Sequence, residues 1–385
     1  MDRTQFTNQS PGNLVEIDRA HHPLRKDWAF IPNELPPQIS FSNELWPLLV
    51  KSRDRLGTLN GIGQTLPDPE LLLRPLQNNE ARASSQIEGT FVTPEQLLMF
   101  EMNPKEPKSS NDSSADWQEV FNYSNALTIG AEMMQTRPLG GHVIRSMHSV
   151  LMRGVRGRNK SPGQFRKCQV QIDHNARFIP PPATEVERLM QNLENYIAEA
   201  DEGFDPLVKC FLVHYQFETI HPFEDGNGRI GRALLSLMVS KLLGHSHPWL
   251  YLSGFYDRFQ KEYFGKMFQV SANGEWESWL GFCLDGTIQQ AEDSIQRCHR
   301  FNSLKDDYHR RVKDSQTPRT HALIDGLFKN PIVRVTTIKK TFDTTYNTAK
   351  HDIEKLVEAG ILRQIPNHRP KSFYATEIMD IAYWS

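Results

Sequence analysis

The sequence has few cysteines and no pattern that would pair them. It contains no CxxC pair and no histidines placed as zinc ligands beside a cysteine. This absence excludes a disulfide-based scaffold and a zinc-ribbon type of site. We expect buried thiols in a reducing cytosol, at Cys168, Cys210, Cys283 and Cys298.

Long apolar runs and a strong net charge are also absent. The longest apolar stretch, residues 233–243, is interrupted by two serines and a lysine. It is far shorter than the roughly 20 residues that cross a bilayer. The N-terminal residues have no apolar core of a signal peptide. A formal net charge of −2 provides no global attraction for nucleic acid or an anionic membrane. The sequence indicates a cytoplasmic protein without a membrane partner, whose function depends on local sites.

The chain of 385 residues is long enough for more than one domain, since domains usually have about 100 to 200 residues. We predict a mainly α fold. Asp68 as N-cap, Pro69 at the first helical position and Gly89 as the stop predict one helix. Alternation around a His-Asn-Ala turn at 168–182 predicts a β-hairpin. The expected regions are an arm at 1–40, a helical region at 41–115, a helical catalytic body at 116–313 and a last unit at 314–385.

The last unit has the layout of a winged helix-turn-helix. Helices are predicted at 321–329, 336–341 and 346–359, followed by a short β-like tail. The start of the third helix offers Tyr346 and Lys350 to a DNA groove, whereas Asp352, Glu354 and Glu358 on the same helix would face phosphates poorly. DNA binding, dimerisation and docking of a target protein are therefore all compatible with this unit.

The densest chemistry lies in one short segment, HPFEDGNGRIGR, at residues 221–232. Apolar helical patterns run into it and out of it, so we predict a tight loop between two core helices. Gly226 and Gly228 permit close backbone approach. The N-terminus of the second helix favours an anion such as phosphate.

The charged residues of this segment predict attack of a hydroxyl group on a phosphate. Arg229 and Arg232 are three apart and can both point at an anion at the helix start. Asp225 beside a polyphosphate is a natural Mg²⁺ ligand, and His221 could accept the proton of the hydroxyl. A structural histidine, a turn and a solvated arginine pair would explain each residue alone, but together they favour a site.

The segment resembles the signature HxFx(D/E)GNGRxxR of the Fic family and matches it at every defined position. The resemblance implies that His221 deprotonates a target hydroxyl and that Asp225 coordinates Mg²⁺ while the ATP phosphates are held for transfer of AMP. Related Doc kinases carry Lys at the position of Gly228, which argues against transfer of phosphate. The nucleotide-contacting residues implied here are Ser85, Gly226, Asn227, Gly228, Arg229, Ile230, Gly231, Arg232, Tyr263 and Phe264.

The resemblance extends over roughly residues 40–300. The segments GQFRKCQVQI and FIPPP are similar to the family's flap, a hairpin that holds the target segment by strand addition. YLSGFYDRFQKEYFGKM is similar to the segment that helps form the adenine pocket. The family commonly has a Tyr-Tyr pair there, whereas this chain has Tyr263 and Phe264; a plain aromatic core helix is the alternative.

Residues 84–89, SSQIEG, resemble the family's inhibitory motif (S/T)xxxE(G/N). Ser84 and Glu88 are four residues apart and share one helix face. The resemblance implies that Glu88 pairs with Arg229, withholds it from the γ-phosphate and blocks productive binding of ATP. A plain surface carboxylate is the alternative for Glu88.

The resemblance implies a protein adenylyltransferase that modifies Ser, Thr or Tyr hydroxyls of proteins, including its own. Two further functions stay open at this point. The same site could remove AMP by hydrolysis, or the chain could be a DNA-binding regulator that senses nucleotide. A homodimer is also compatible with the sequence.

Overall fold

The computed structural model describes residues 1–19, 22–39, 41–65, 69–109, 111–154, 156–173, 177–199, 203–313, 317–366 and 370–384. Most of these residues are helical, which confirms the predicted mainly α fold. The helices are α1 (Leu45–Thr65), α2 (Glu70–Ile87), α3 (Pro94–Met102), α4 (Ser114–Thr136), α5 (Gly141–Leu151), α6 (Val186–Ala198), α7 (Pro206–Ile220), α8 (Asn227–Leu242), α9 (Ser253–Arg258), α10 (Gln260–Asn273), α11 (Trp276–Arg311), α12 (Pro318–Lys329), α13 (Val335–Thr341), α14 (Tyr346–Glu358) and α15 (Thr376–Met379).

The N-terminal arm contains a hairpin that the sequence analysis did not predict. Strands β1 (Gly12–Arg19) and β2 (His22–Pro32) pair antiparallel. The end of β2 is tied to the body, because the Phe30 amide donates a hydrogen bond of 2.9 Å to the carbonyl of Ile179. The local sequence did not predict this hairpin, because contacts with distant residues, rather than apolar alternation alone, stabilise it.

Helices α7 and α8 form the centre of the molecule. Asp205 caps α7 by accepting a hydrogen bond of 2.8 Å from the Leu207 amide, and Pro206 occupies the first helical position. From Leu207 to Ile220 every residue of α7 is buried. A helix that is buried on all sides must lie in the core, and the loop between α7 and α8 therefore has a rigid support.

Helix α2 ends where the sequence predicted. Its last residue is Ile87, and Gly89 follows with a φ of +89°, in the left-handed region that favours glycine. The predicted N-cap, Asp68, lies outside the described residues; the helix begins at Glu70.

The predicted hairpin at 168–182 is present as two very short strands. Strand β3 (Ile172–Asp173) pairs antiparallel with β4 (Arg177–Phe178). The predicted His-Asn-Ala turn, residues 174–176, lies outside the described residues. The strand pair sits beside the loop after α7, where Ile172 and Phe178 line a cavity.

The predicted helices of the C-terminal unit are present as α12, α13 and α14. Strands β5 (Ile332–Arg334), β6 (Arg363–Gln364) and β7 (Ser372–Tyr374) form an antiparallel sheet in the order β5-β7-β6. Strand β5 was not predicted. This order of elements is that of a winged helix, and assignment to that class stays a prediction. So does the division into domains; residues 314–316 of the expected boundary are not described.

The structure removes the objection that Asp352 on α14 would face DNA phosphates. Asp352 is 1% exposed and accepts two hydrogen bonds from Arg319, at 2.6 and 3.2 Å. Its charge is therefore compensated inside the unit. Tyr346 and Lys350 at the start of the helix are exposed, as the sequence predicted.

The structure also tests the expectations about cysteines and membranes. Cys210, Cys283 and Cys298 are buried, but Cys168 is exposed, and none of the four forms a disulfide. In the described part of the chain, no helix is long and apolar enough to cross a membrane.

Candidate active site

His221 sits at the point where α7 ends. It adopts a left-handed conformation with a φ of 51°, and its Nδ1 lies 3.2 Å from the carbonyl oxygen of Glu218. A carbonyl oxygen can only accept, so Nδ1 carries the ring proton and donates it. The other ring nitrogen, Nε2, is then the basic one and can accept a proton.

The loop from His221 to Gly226 is closed by the side chain of Asn227. Its Oδ1 accepts a hydrogen bond of 2.8 Å from the Phe223 amide, and its Nδ2 donates one of 2.9 Å to the Phe223 carbonyl. The Asn227 side chain thus holds the loop, and the contact of Asn227 with phosphates stays a prediction.

His148 on α5 is a positioning residue that the sequence analysis missed. Its Nδ1 accepts a hydrogen bond of 2.8 Å from the Gly163 amide, and its Nε2 donates one of 3.0 Å to the carbonyl of Asp225. The ring stacks on Phe223 at 3.7 Å between centroids. Burial lowers the pKa of His148 to about 4, so the ring is neutral at physiological pH. No local motif marks His148, because at least 73 residues separate it from the loop in sequence.

We predict that His148 makes the fold sensitive to mild acid. Its pKa is lowered from 6.5 to about 4. The unfolded chain therefore binds a proton at higher pH than the folded chain does, and stability is fully present above pH 6.5 and falls as the pH drops toward 4. This histidine alone would cost about 2 to 3 kcal/mol of unfolding free energy over that range. Urea titrations at several pH values should show a shallower dependence for His148→Gln than for wild type.

The matched control for this experiment is His299→Gln, because His299 is exposed on α11. Its pH dependence should equal that of wild type. If His148→Gln also matches wild type, His148 is not the group that links folding to pH.

Arg166, which no sequence motif marks, supports the loop between α7 and α8 from the side of the hairpin. It is 2% exposed and donates to four carbonyl groups, those of His221 (2.8 Å), Cys168 (3.1 Å), Pro181 (2.6 Å) and Ile220 (3.3 Å). Burial lowers the pKa of Arg166 to about 10. The planar, five-donor guanidinium suits this task because one group can satisfy several carbonyls.

We predict that Arg166→Met destabilises the protein by about 2 to 4 kcal/mol, because buried carbonyls lose their donors. Urea unfolding at neutral pH measures the change. Lys167→Met is the control, since Lys167 is the exposed neighbour in sequence and should change stability by less than about 0.5 kcal/mol. Equal stability of the two variants would show that Arg166 does not hold the loop.

The N-terminus of α8 faces the carboxylate of Glu88. A Cβ atom added at Gly228, in the first turn of α8, would clash with Glu88 Oε1. Glu88 is the C-cap residue of α2, and its side chain is 27% exposed. A negative group therefore occupies the helix start that the sequence analysis assigned to a phosphate.

The structure corrects the predicted partner of Glu88. Glu88 Oε1 accepts a hydrogen bond of 2.8 Å from Arg232 Nη2, whereas the sequence analysis named Arg229. Arg232 also donates to the hydroxyl and the carbonyl of Ser84, both at 2.9 Å. Burial acts to lower the pKa of Arg232, but Glu88 and other nearby acidic groups raise it above its usual value. Arg232, the last residue of the signature, is thus the arginine that α2 binds.

Arg229 is held by other acidic residues. Its Nη1 lies 3.4 Å from Glu119 Oε2 on α4, and its Nη2 lies 3.4 Å from Asp225 Oδ1. Its Nε is buried and lacks a hydrogen-bond partner within the described part of the chain. Both arginines of the segment therefore lie at the start of α8, as predicted, with carboxylates beside them.

Asp225 is a half-exposed carboxylate at the end of the loop. Its side chain is 47% exposed, and its Oδ1 accepts a hydrogen bond of 2.6 Å from the Gly226 amide. Among the described residues, no three His, Cys, Asp or Glu side chains converge as a metal cage. Mg²⁺ does not need such a cage, because it commonly uses one or two carboxylates, phosphate oxygens and water.

The residues assigned to adenine contacts separate in the structure. Phe264 lines the cavity, together with Met267 and Phe268 on the same face of α10. Tyr263 is fully buried and its hydroxyl donates a hydrogen bond of 2.9 Å to His214 Nε2, so it serves the core. Burial lowers the pKa of His214 to about 3, which keeps this histidine neutral.

Three further predicted contact residues are buried away from the cavity surface. Ser85 and Ile230 are completely buried, and the Ser85 hydroxyl has no hydrogen-bond partner among the described residues. Gly231 faces the carboxyl group of Glu218. Contact of these three residues with a nucleotide stays a prediction.

His221, Glu88 and the start of α8 line one cavity of about 240 Å³. Gly226, Gly228 and Asp225 also line it, together with the apolar side chains of α10. The hairpin forms a further wall through Ile172 and Phe178. The arrangement combines a base, an anion site, a carboxylate for a cation and an apolar surface.

Comparison with protein families finds two matching descriptions. Residues 46–132 match the Fic/DOC family N-terminal domain, and residues 139–239 match the Fic/DOC family. Among curated proteins, the chain is 38% identical over 78 residues to a probable protein adenylyltransferase of Aquifex aeolicus, covering 20% of this chain and 24% of that protein. It is 34% identical over 80 residues to the protein adenylyltransferase Fic of Drosophila grimshawi, covering 20% and 16%. The match thus spans a quarter or less of these relatives.

Three solved structures resemble the fold. They are a Fic family protein from Desulfovibrio desulfuricans (TM-score 0.57, 20% identity, 89% of this chain and 98% of that one), a Fic domain containing signaling protein from Bacteroides thetaiotaomicron (0.50, 22%, 65% and 97%) and Fic-1 from C. elegans (0.51, 20%, 65% and 74%). At these identities the likeness shows the fold.

Proposed function

We propose that this chain, a member of the Fic/DOC family, transfers AMP from ATP to hydroxyl groups of proteins and that Glu88 inhibits the reaction. One observation carries the proposal. A carboxylate of the protein itself stands at the start of α8, bound to Arg232, in the same cavity as the basic nitrogen of His221. Such a site is suited to an anion and to a nucleophile that must lose a proton.

The residues present fit the phosphates of a nucleotide. Gly228 leaves space beside the start of α8 that a Cβ atom would fill. The peptide amides at this helix start favour phosphate. Arg229 and Arg232 would bind phosphate oxygens once their carboxylate partners yield. Asp225 would hold Mg²⁺, which when bound offsets phosphate charge and polarises the P–O bonds.

The chemistry of this chain centres on His221. Its Nε2 would accept the proton of a serine, threonine or tyrosine hydroxyl as the oxygen attacks the α-phosphorus. The new bond joins that oxygen to phosphorus, and the bond between the α-phosphorus and the bridging oxygen breaks. Pyrophosphate carries away the electron pair. General-base assistance of this kind contributes about 10²- to 10⁴-fold.

The hairpin would hold the target segment. Strands β3 and β4 are only two residues long, and Gln171, Ile172 and Phe178 line the cavity. An extended peptide that adds to this edge would present its hydroxyl to His221, because strand addition fixes the depth and direction of a side chain.

Inhibition would arise from competition at Arg232. The Glu88 carboxylate binds the Arg232 guanidinium and places a negative charge where the γ-phosphate would lie. ATP then binds in a pose in which the α-phosphate does not face the acceptor. Removal of Glu88 is expected to correct that pose.

Hydrolytic removal of AMP is a second candidate function. Glu88 lines the same cavity as His221, so its carboxylate could position a water molecule there. Incubation of an AMP-modified protein with wild type and with a Glu88→Gly variant tests this function. Release of AMP by wild type alone would support it.

A nucleotide-sensing regulator that binds DNA is the third candidate. The exposed side chains of Tyr346 and Lys350 at the start of α14 favour it. Fluorescence anisotropy with labelled duplex DNA tests the idea. A regulator would also keep its biological effect after His221→Ala, whereas a transferase would lose it.

The proposed transfer is tested directly by intact-mass analysis. The full chain is incubated with Mg²⁺ and α-labelled ATP, and the mass of an AMP adduct on the protein is sought. A folded, nucleotide-bound Glu88→Gly variant that never gains AMP would exclude self-transfer.

A further inference from the structure

Among the carboxyl groups that line the cavity, Glu218 is buried and is used by no step described above. Glu218 lies on the last turn of α7, three residues before His221, and is 9% exposed. Its side chain lines the cavity, and its Oε1 is buried without a hydrogen-bond partner within the described part of the chain. Since an unsatisfied buried polar atom is unfavourable to folding, a partner that arrives with the ligand would explain the position.

The main chain makes room for this carboxyl group. A Cβ atom at Gly231 would clash with Glu218 Oε1, so a larger residue there would displace the carboxyl. Glu218 therefore packs against α8 at Gly231, four residues after the start of the helix. Phe264, Met267 and Phe268 line the same cavity as Glu218. A carboxyl group that shares a cavity with these apolar side chains and with the start of α8 is placed for the nucleoside part of a nucleotide.

The charge state of Glu218 favours a neutral ligand group over a phosphate. Burial raises its pKa to about 8, with Arg232 acting to lower it and Glu88 to raise it. At neutral pH the group is a protonated carboxylic acid, which can both donate and accept a hydrogen bond. If it loses the proton, it repels phosphate and still accepts from a hydroxyl or an amino group.

We propose that the Glu218 carboxyl hydrogen-bonds a hydroxyl or amino group of the bound nucleoside and thereby helps determine which nucleotide the site takes. This inference rests on the proposed function. The ribose 2′-hydroxyl, the ribose 3′-hydroxyl and the 6-amino group of adenine share the required chemistry. Contact with any of them would satisfy the buried oxygen.

Isothermal titration of the full chain with four nucleotides tests this assignment. They are ATP, 2′-deoxy-ATP, 3′-deoxy-ATP and inosine triphosphate, each measured against wild type, Glu218→Ala and Glu218→Gln. In wild type, the analogue that lacks the contacted group should bind about 3- to 10-fold more weakly than ATP. Glu218→Ala should lose that preference, and Glu218→Gln should keep part of it because an amide also donates and accepts.

The controls separate this inference from the proposed function. Glu262→Gln, at an exposed position of α10, should discriminate as wild type does. Glu218→Gln has nearly the same volume as the native side chain, and its circular dichroism spectrum reports whether it is folded. A wild type that binds no ATP would contradict the proposed function itself. A wild type that binds ATP, with discrimination that is absent or unchanged in Glu218→Ala, would overturn the role of Glu218 alone.

Discussion

Replacing Glu88 by glycine is expected to raise the rate of self-modification with AMP by about 10²-fold or more. The reason is that the charged donor Arg232 is then able to bind a phosphate of the ATP. In wild type, Arg232 Nη2 donates to Glu88 at 2.8 Å. Without the carboxylate, Arg232 and the start of α8 can both bind phosphate. Intact-mass analysis over time, with Mg²⁺ and ATP, measures the rate of adduct formation.

The position of Glu88 makes this variant informative. It is the C-cap residue of α2, with φ −88° and ψ 4°, so glycine there should disturb the helix little. Glu88→Ala should behave like Glu88→Gly, since both remove the carboxylate. Gln86→Gly introduces a glycine two residues earlier, in the last turn of α2, and should stay as slow as wild type. Equal rates for wild type and Glu88→Gly would rule out inhibition by this residue.

Adding His221→Ala to Glu88→Gly is expected to lower the rate of AMP transfer by about 10²- to 10⁴-fold. The Nδ1 proton of His221 is engaged by the Glu218 carbonyl at 3.2 Å, which leaves Nε2 as the proton acceptor. Alanine removes that acceptor and keeps the anion site of α8. Binding of ATP, measured by titration, should therefore be retained while the adduct disappears.

His299→Ala in the same Glu88→Gly background is the matched control, because His299 is exposed on a different helix. Its transfer rate should equal that of Glu88→Gly. If the double variant with His221→Ala forms the adduct as fast as Glu88→Gly does, His221 is not the general base. Another group would then have to accept the proton of the hydroxyl.

Much of the candidate site could be predicted because its residues are neighbours in sequence. His221, Asp225, Arg229 and Arg232 lie within one loop and the first two turns of one helix, so spacing alone places them together. The apolar patterns before and after them predicted two core helices, and α7 and α8 confirm this. The end of α2 at Gly89 was predictable for the same local reason.

Other features could not be predicted because they join distant parts of the chain. The two hydrogen bonds of the Asn227 side chain to Phe223 were not predictable from the motif. His148 and Arg166 appear in no local motif, and Tyr263 could not be separated from Phe264 without knowing which face of α10 meets the core. The hairpin of β1 and β2 also depends on contacts with remote residues.

The sequence by itself determined the class of fold and the chemistry of the site: a base, a carboxylate, glycines and two arginines at the start of a core helix. Only the tertiary structure decided which arginine Glu88 binds and that Glu218 Oε1 is buried without a hydrogen-bond partner among the described residues. The reason is geometric. Glu88 and Arg232 are 144 residues apart, and their contact depends on how α2 packs across α8, which side-chain spacing along one helix does not specify.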